Sequence, residues 1–80
     1  MNSQSLTDLI TPFRESLESL DRIRAESLFA EALSRVSPIA AVEQVIVPAL
    51  EQMGNAWHDG SVALSQVYMG GRFCEELVER

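Results

Sequence analysis

Eighty residues leave room for one small domain around a single core, and too little for a doubly wound sheet enclosing a cofactor crevice. A composition of 46% hydrophobic and 22% charged residues belongs to an ordinary globular chain and excludes a disordered one. The net charge is −6 and all six basic residues are arginines scattered through the chain, so neither nucleic acid nor an anionic membrane surface meets a basic stripe.

No apolar run reaches the roughly 18 residues that a bilayer-spanning helix needs. Met1 is followed by polar Asn-Ser-Gln-Ser, without the basic and apolar regions of a signal peptide. Cys74 is the single cysteine, which excludes an internal disulfide. A cytoplasmic location is expected.

Residues 1–5 read as a flexible lead-in and residues 6–80 as one domain. Leu6, Leu9, Ile10, Phe13, Leu17 and Leu20 follow steps of three and four, predicting a one-sided helix between about Ser5 and Ser19. Pro12 falls inside it, so this helix is expected to be kinked or in two parts. Asp21 is a capping residue for a second helix, with Ile23, Leu28, Phe29, Ala32, Leu33 and Val36 predicted inward.

Ser37-Pro38 then gives a capping hydroxyl with proline at the first helical position. The third helix is predicted to bury Ile39, Val42, Val45, Ile46, Ala49, Leu50 and Met53. Pro48 lacks an N–H and its ring crowds the carbonyl of Gln44, so a bend is expected there. Asp59-Gly60 ends this helix, with Gly60 taking up a left-handed backbone. A fourth helix is predicted from about Val62, with Leu64, Val67, Tyr68, Gly71, Cys74, Leu77 and Val78 on one face and no stop signal before Arg80. No strand pattern occurs. The expected architecture is an all-α four-helix bundle with short connections.

Catalytic chemistry finds little support. His58, the lone histidine, has no second ligand at helical spacing and reads as a solvated side chain near a helix end. Glu75, Glu76 and Glu79 read as a solvated charge run, since paired acids need a pocket that raises one pKa. Cys74 has no basic neighbour to activate it and reads as a small core residue. Ser19, Ser61 and Ser65 have no partner pattern.

The stretch from Met53 to Gly71 has two readings. Met53 and Trp57 lie four apart, and Leu64, Val67, Tyr68 and Gly71 share a face of the next helix, so all could fill the bundle core, with Gly70-Gly71 letting helices approach closely. Alternatively, their clustering around one turn makes an apolar platform at one end of the bundle, in need of a partner.

At these residues the sequence resembles the helical cap module of cobalamin-binding (corrinoid) proteins, the four-helix unit of cobalamin-dependent methionine synthase and of methyltransferase corrinoid proteins. The carrying pattern is "VIVPALEQMGNAWHDGSVALSQVY", with Pro48-Ala49, Gly54, Trp57 and Gly60 at the family's positions. The looser "RAESLFAEALSRVSPIAAVEQVIVPAL" has the spacing of the family's second and third helices. The resemblance runs from about Leu6 onward and is most specific between Pro48 and Gly71.

The resemblance implies a lid over the upper face of the corrin ring. By position it assigns the covering aromatic to Trp57 and two aliphatic lid positions to Leu64 and Val67, with Met53, Tyr68 and Gly71 one helical turn away. It implies cobalamin as cofactor, with methylcobalamin shielded during methyl transfer. It also implies a Rossmann-like cobalamin-binding domain and a methyltransferase as partners. The family's Asp-x-His-x-x-Gly motif, which carries the lower cobalt ligand, is absent from these residues, and His58 does not match it. Light-sensing relatives carry Glu-His about ten residues after the tryptophan, where this chain has Val67-Tyr68. A cobalamin-dependent sensor or regulatory domain and a helical dimerisation module that forms homodimers are the alternatives.

Overall fold

The computed structural model describes residues 6–79, and among these it contains helices and turns only. The expected lead-in at residues 1–5 lies outside the described residues, as does Arg80.

Helix α1 (Thr7–Glu18) runs unbroken through Pro12, so the two-part alternative falls. Its stripe of Leu9, Phe13 and Leu17, together with Leu6 just before it, is buried as expected. Ser16 is also fully buried, its hydroxyl donating to the Phe13 carbonyl at 2.6 Å. This is how a polar side chain is tolerated inside a core. α1 packs against α2, α4 and α5, whose ranges follow, and is the central rod of the bundle.

α1 ends in a turn where Asp21 N–H donates to the Ser16 carbonyl at 2.8 Å and Leu20 N–H to that of Leu17 at 3.1 Å. That pair of bonds is the Schellman closure, and it places Leu20 in the left-handed region at φ 59°. Leu20 is therefore exposed in a turn, and its expected place in the inward stripe is corrected.

Helix α2 (Arg22–Arg35) starts at Asp21, whose Oδ1 accepts from the Arg24 N–H at 3.1 Å, as the sequence predicts. Its buried stripe is Ala25, Phe29 and Ala32, flanked by half-buried Leu28 and Val36. Ile23 and Leu33 are exposed, against expectation. The small side chains of Ala25 and Ala32 take the inner face, which brings α2 close to α1 and turns the two larger residues outward. Arg35 ties the helix end to α1, donating from Nη1 to both carboxylate oxygens of Asp8 at 3.1 and 3.2 Å.

The third rod comprises α3 (Pro38–Ala41), a π-helical turn (Val42–Ile46) and α4 (Val47–His58) in uninterrupted succession. The Ser37 hydroxyl caps it, accepting from the Ala40 N–H at 3.3 Å. The irregularity expected around Pro48 takes the form of this widened turn, in which Val47 N–H reaches back five residues to the Val42 carbonyl. Proline has no N–H for the Gln44 carbonyl and would crowd it in a regular helix; a wider turn immediately before it relieves that crowding. Ala41, Val45, Ile46, Ala49 and Met53 are buried, with Val42 and Leu50 packed on the core edge. Ile39 is 72% exposed and is corrected from the predicted core.

Helix α5 (Leu64–Val78) begins two residues later than predicted, with Ala63 at the cap position and Val62 buried in the preceding turn. Its buried stripe is Gly70, Phe73, Cys74 and Leu77. The predicted inward face was rotated: Cys74 and Leu77 are inside, whereas Leu64, Tyr68 and Val78 are exposed and Val67 and Gly71 are half-buried. Among the described residues no helix is long and apolar enough to cross a membrane.

Candidate functional site

The end of α4 and the start of α5 are joined by a tightly braced turn. Gly60, at φ 89°, lets Ser61 N–H reach the Ala56 carbonyl at 2.9 Å while Gly60 N–H bonds that of Trp57 at 3.1 Å. This is the same Schellman closure that ends α1, here with the glycine the geometry favours. The Asp59 carboxylate accepts both the Ser61 hydroxyl at 2.8 Å and the Ser61 N–H at 3.1 Å. Those two bonds, the hydroxyl one first, hold the Asp59 carboxyl below its ordinary pKa.

Gln66 fixes the other side. Its Oε1 accepts from the Ala63 N–H at 2.9 Å and its Nε2 donates to the Glu18 carbonyl at 2.8 Å. One side chain thus serves an orphan donor at the start of α5 and an orphan acceptor at the end of α1. Sequence reasoning passed over Gln66. Its position three residues after the cap was the available signal, but Ala63 cannot supply the reciprocal half of a capping box.

On this braced end the structure exposes Trp57 (49%), Leu64 (59%) and Tyr68 (61%). The reading in which they fill the core does not hold for these three. Leu64, Tyr68 and Gly71 follow one another at steps of four and three along the outer face of α5, and Val67 is half-buried beside them. The Tyr68 hydroxyl accepts from Arg72 Nη1 at 3.3 Å, which leaves the ring outward with its polar end occupied. That bond, more than the nearby carboxylates, raises the Arg72 pKa.

Met53 stands apart from this surface. It is fully buried, one turn below Trp57 on α4, with its thioether against α5. A Cβ placed on Gly70 would lie 3.0 Å from Met53 Cε and 3.5 Å from Leu17 Cβ, whereas one on Gly71 would meet nothing within 4 Å. The close helix approach expected of the glycine pair therefore belongs to Gly70 alone.

The remaining chemistry-bearing residues are dispersed. Among the described residues no three of His, Cys, Asp and Glu are grouped to hold a metal ion, and His58 is exposed. Cys74 is buried, and burial pushes its thiol up to about 12, so it is an inert core group at neutral pH. Glu75 and Glu79 are exposed as expected, but Glu76 is half-buried and forms an ion pair with Arg22, whose guanidinium also lies 5.2 Å from the Phe73 ring centroid. The three glutamates are therefore not one solvated run.

This end of the bundle thus carries three exposed apolar side chains around a hydrogen-bonded turn. The B12 binding domain family matches residues 9–80, and the chain belongs to that family, the helical cap domain of cobalamin-binding proteins. No curated protein and no solved structure matches the chain.

The exposed residues suit the group this family binds. An indole, an isobutyl group and a phenol ring offer apolar area to a large flat ligand, with the Asp59 carboxylate engaged by Ser61 in the turn and the Arg72 guanidinium on the Tyr68 hydroxyl.

Proposed function

We propose that the chain is the lid of a methyl-carrying cobalamin protein, covering the upper face of methylcobalamin with Trp57, Leu64 and Tyr68 and, at the edges, Val67 and Gly71. The observation that carries this reading is the exposure of three large apolar side chains around one braced turn, in a chain of the cobalamin-cap family. Met53 supports the lid from beneath, by filling the space against Gly70.

Methylcobalamin supplies a labile cobalt–carbon bond whose methyl group is the transferred unit. The side chains of this chain contribute enclosure: they displace water from the exposed face, while the Asp59 carboxylate in the turn is engaged by Ser61. A Rossmann-like cobalamin-binding domain is the partner that supplies the lower side of the site, and a methyltransferase is the partner to which the lid gives way. The bracing by Asp59, Ser61 and Gln66 favours a lid that moves as one body, in the manner of a domain displaced by hinge motion.

The test is photolysis. Added to a methylcobalamin-loaded cobalamin-binding domain, the native chain is expected to slow light-driven loss of the methyl group, and Trp57→Ala to restore most of the unprotected rate. Equal decay rates with and without the native chain would remove the shielding role.

A further inference from the structure

A second surface, formed by other elements, has a different character. Two adjoining grooves of about 270 and 290 Å³ run between α2, the α3 and π-turn segment, and the last turn of α5. Phe29, Val42 and Leu77 form the floor, and Leu33, Ile39 and Val78 stand along the sides. Ile39 is 72% and Val78 53% exposed, so large aliphatic groups from separate helices are left facing water across one depression. None of Trp57, Leu64, Val67, Tyr68 or Gly71 lines either groove.

Carboxylates outnumber cations around it, with Glu26 paired to Arg22 at 3.9 Å and Glu75 to Arg72 at 3.5 Å. Glu26 and Glu43 rim the two grooves, Glu75 and Glu79 line a shallower one on the far side of Val78, and no arginine lines any of the three. Glu43 makes no ion pair among the described residues. An apolar trough with an acidic rim complements a helix that carries one aliphatic stripe flanked by Lys or Arg. The same rim opposes a second copy, since each chain has a net charge of −6 and would bring glutamates against glutamates.

We infer that this trough docks a basic amphipathic helix of a partner protein, independently of the lid. The probe is a fluorescently labelled leucine–lysine peptide of helical periodicity, compared with a scrambled peptide of the same composition and a leucine–glutamate counterpart, read by anisotropy against the whole chain. The periodic basic peptide is expected to bind. Ile39→Ser combined with Val78→Ser is expected to weaken it about tenfold, as is Glu43→Lys. All three positions are exposed, and an unchanged helical circular dichroism spectrum would verify that the variants fold.

Equal binding of the scrambled peptide, or no loss in the Ile39→Ser/Val78→Ser variant, would reduce the effect to general charge attraction and overturn the proposal. Absence of binding would overturn it directly. So would sedimentation showing a dimer of the native chain that those two substitutions dissolve, because the occupant would then be a second copy.

Discussion

Leu20 and Gly60 occupy equivalent positions in two copies of one closure, which makes the cost of a side chain there measurable within a single molecule. A leucine in the left-handed region is strained by roughly 1–2 kcal/mol, part of which is offset because glycine loses more chain entropy on folding. Leu20→Gly is therefore expected to raise stability by about 0.5–1 kcal/mol, or several degrees in the melting temperature of a domain this size. Gly60→Ala is expected to lower it by about 1 kcal/mol, purely through the backbone, because a Cβ there meets nothing within 4 Å. Calorimetry of both variants checks the pair.

Cys74 gives a pH signature at the same scale. In the unfolded chain its thiol ionises near its ordinary value of 9.0, whereas in the fold burial holds it protonated to about 12. Above pH 9 the unfolded state binds fewer protons than the native one, so stability falls with pH across that window. The chain has no lysine and one tyrosine, which keeps the window comparatively clear of other titrations. Denaturant titrations between about pH 9 and pH 11 should show a downward slope that is smaller in Cys74→Ala.

At the scale of elements, the two central glycines of α5 separate packing from propensity. Gly70→Leu must displace Met53 and Leu17 or push α5 away from α4, and is expected to cost about 2 kcal/mol or more. Gly71→Ala gains helix propensity without a clash and is expected to stabilise by about 0.5–1 kcal/mol. Urea titrations distinguish the two. Element starts and stops were legible in the sequence wherever a side chain or a left-handed residue sets them: Asp21, Ser37-Pro38 and Gly60 act as read. Faces were less legible. Apolar periodicity treats every large aliphatic as inward, yet α2 buries its alanines and turns Ile23 and Leu33 out. In the third rod the π-turn adds a residue to the count, which shifts the helical phase between its two ends. On α5 the apolar residues occupy two faces, and the stripe that packs is Gly70, Phe73 and Leu77, while Leu64 and Tyr68 belong to the other.

For the whole molecule, that second face of α5 is the informative departure. A marginal domain that leaves an indole, a leucine and a tyrosine in water, while bracing the turn beneath them, keeps an apolar surface that its own core does not use. Trp57 and Leu64 were singled out by the family pattern, since their spacing alone favoured a place in the core. Gln66 and the division of labour between Gly70 and Gly71 required the three-dimensional packing. Trp57 is the chain's single tryptophan and reports directly on its own environment. Titration with methylcobalamin, corrected for absorption by the corrin, should quench its fluorescence in a saturable curve that Leu64→Asp shifts to higher concentration. A linear, collisional response that matches free N-acetyltryptophanamide, and that Leu64→Asp leaves unaltered, would contradict the claim that these side chains form a cobalamin-covering surface.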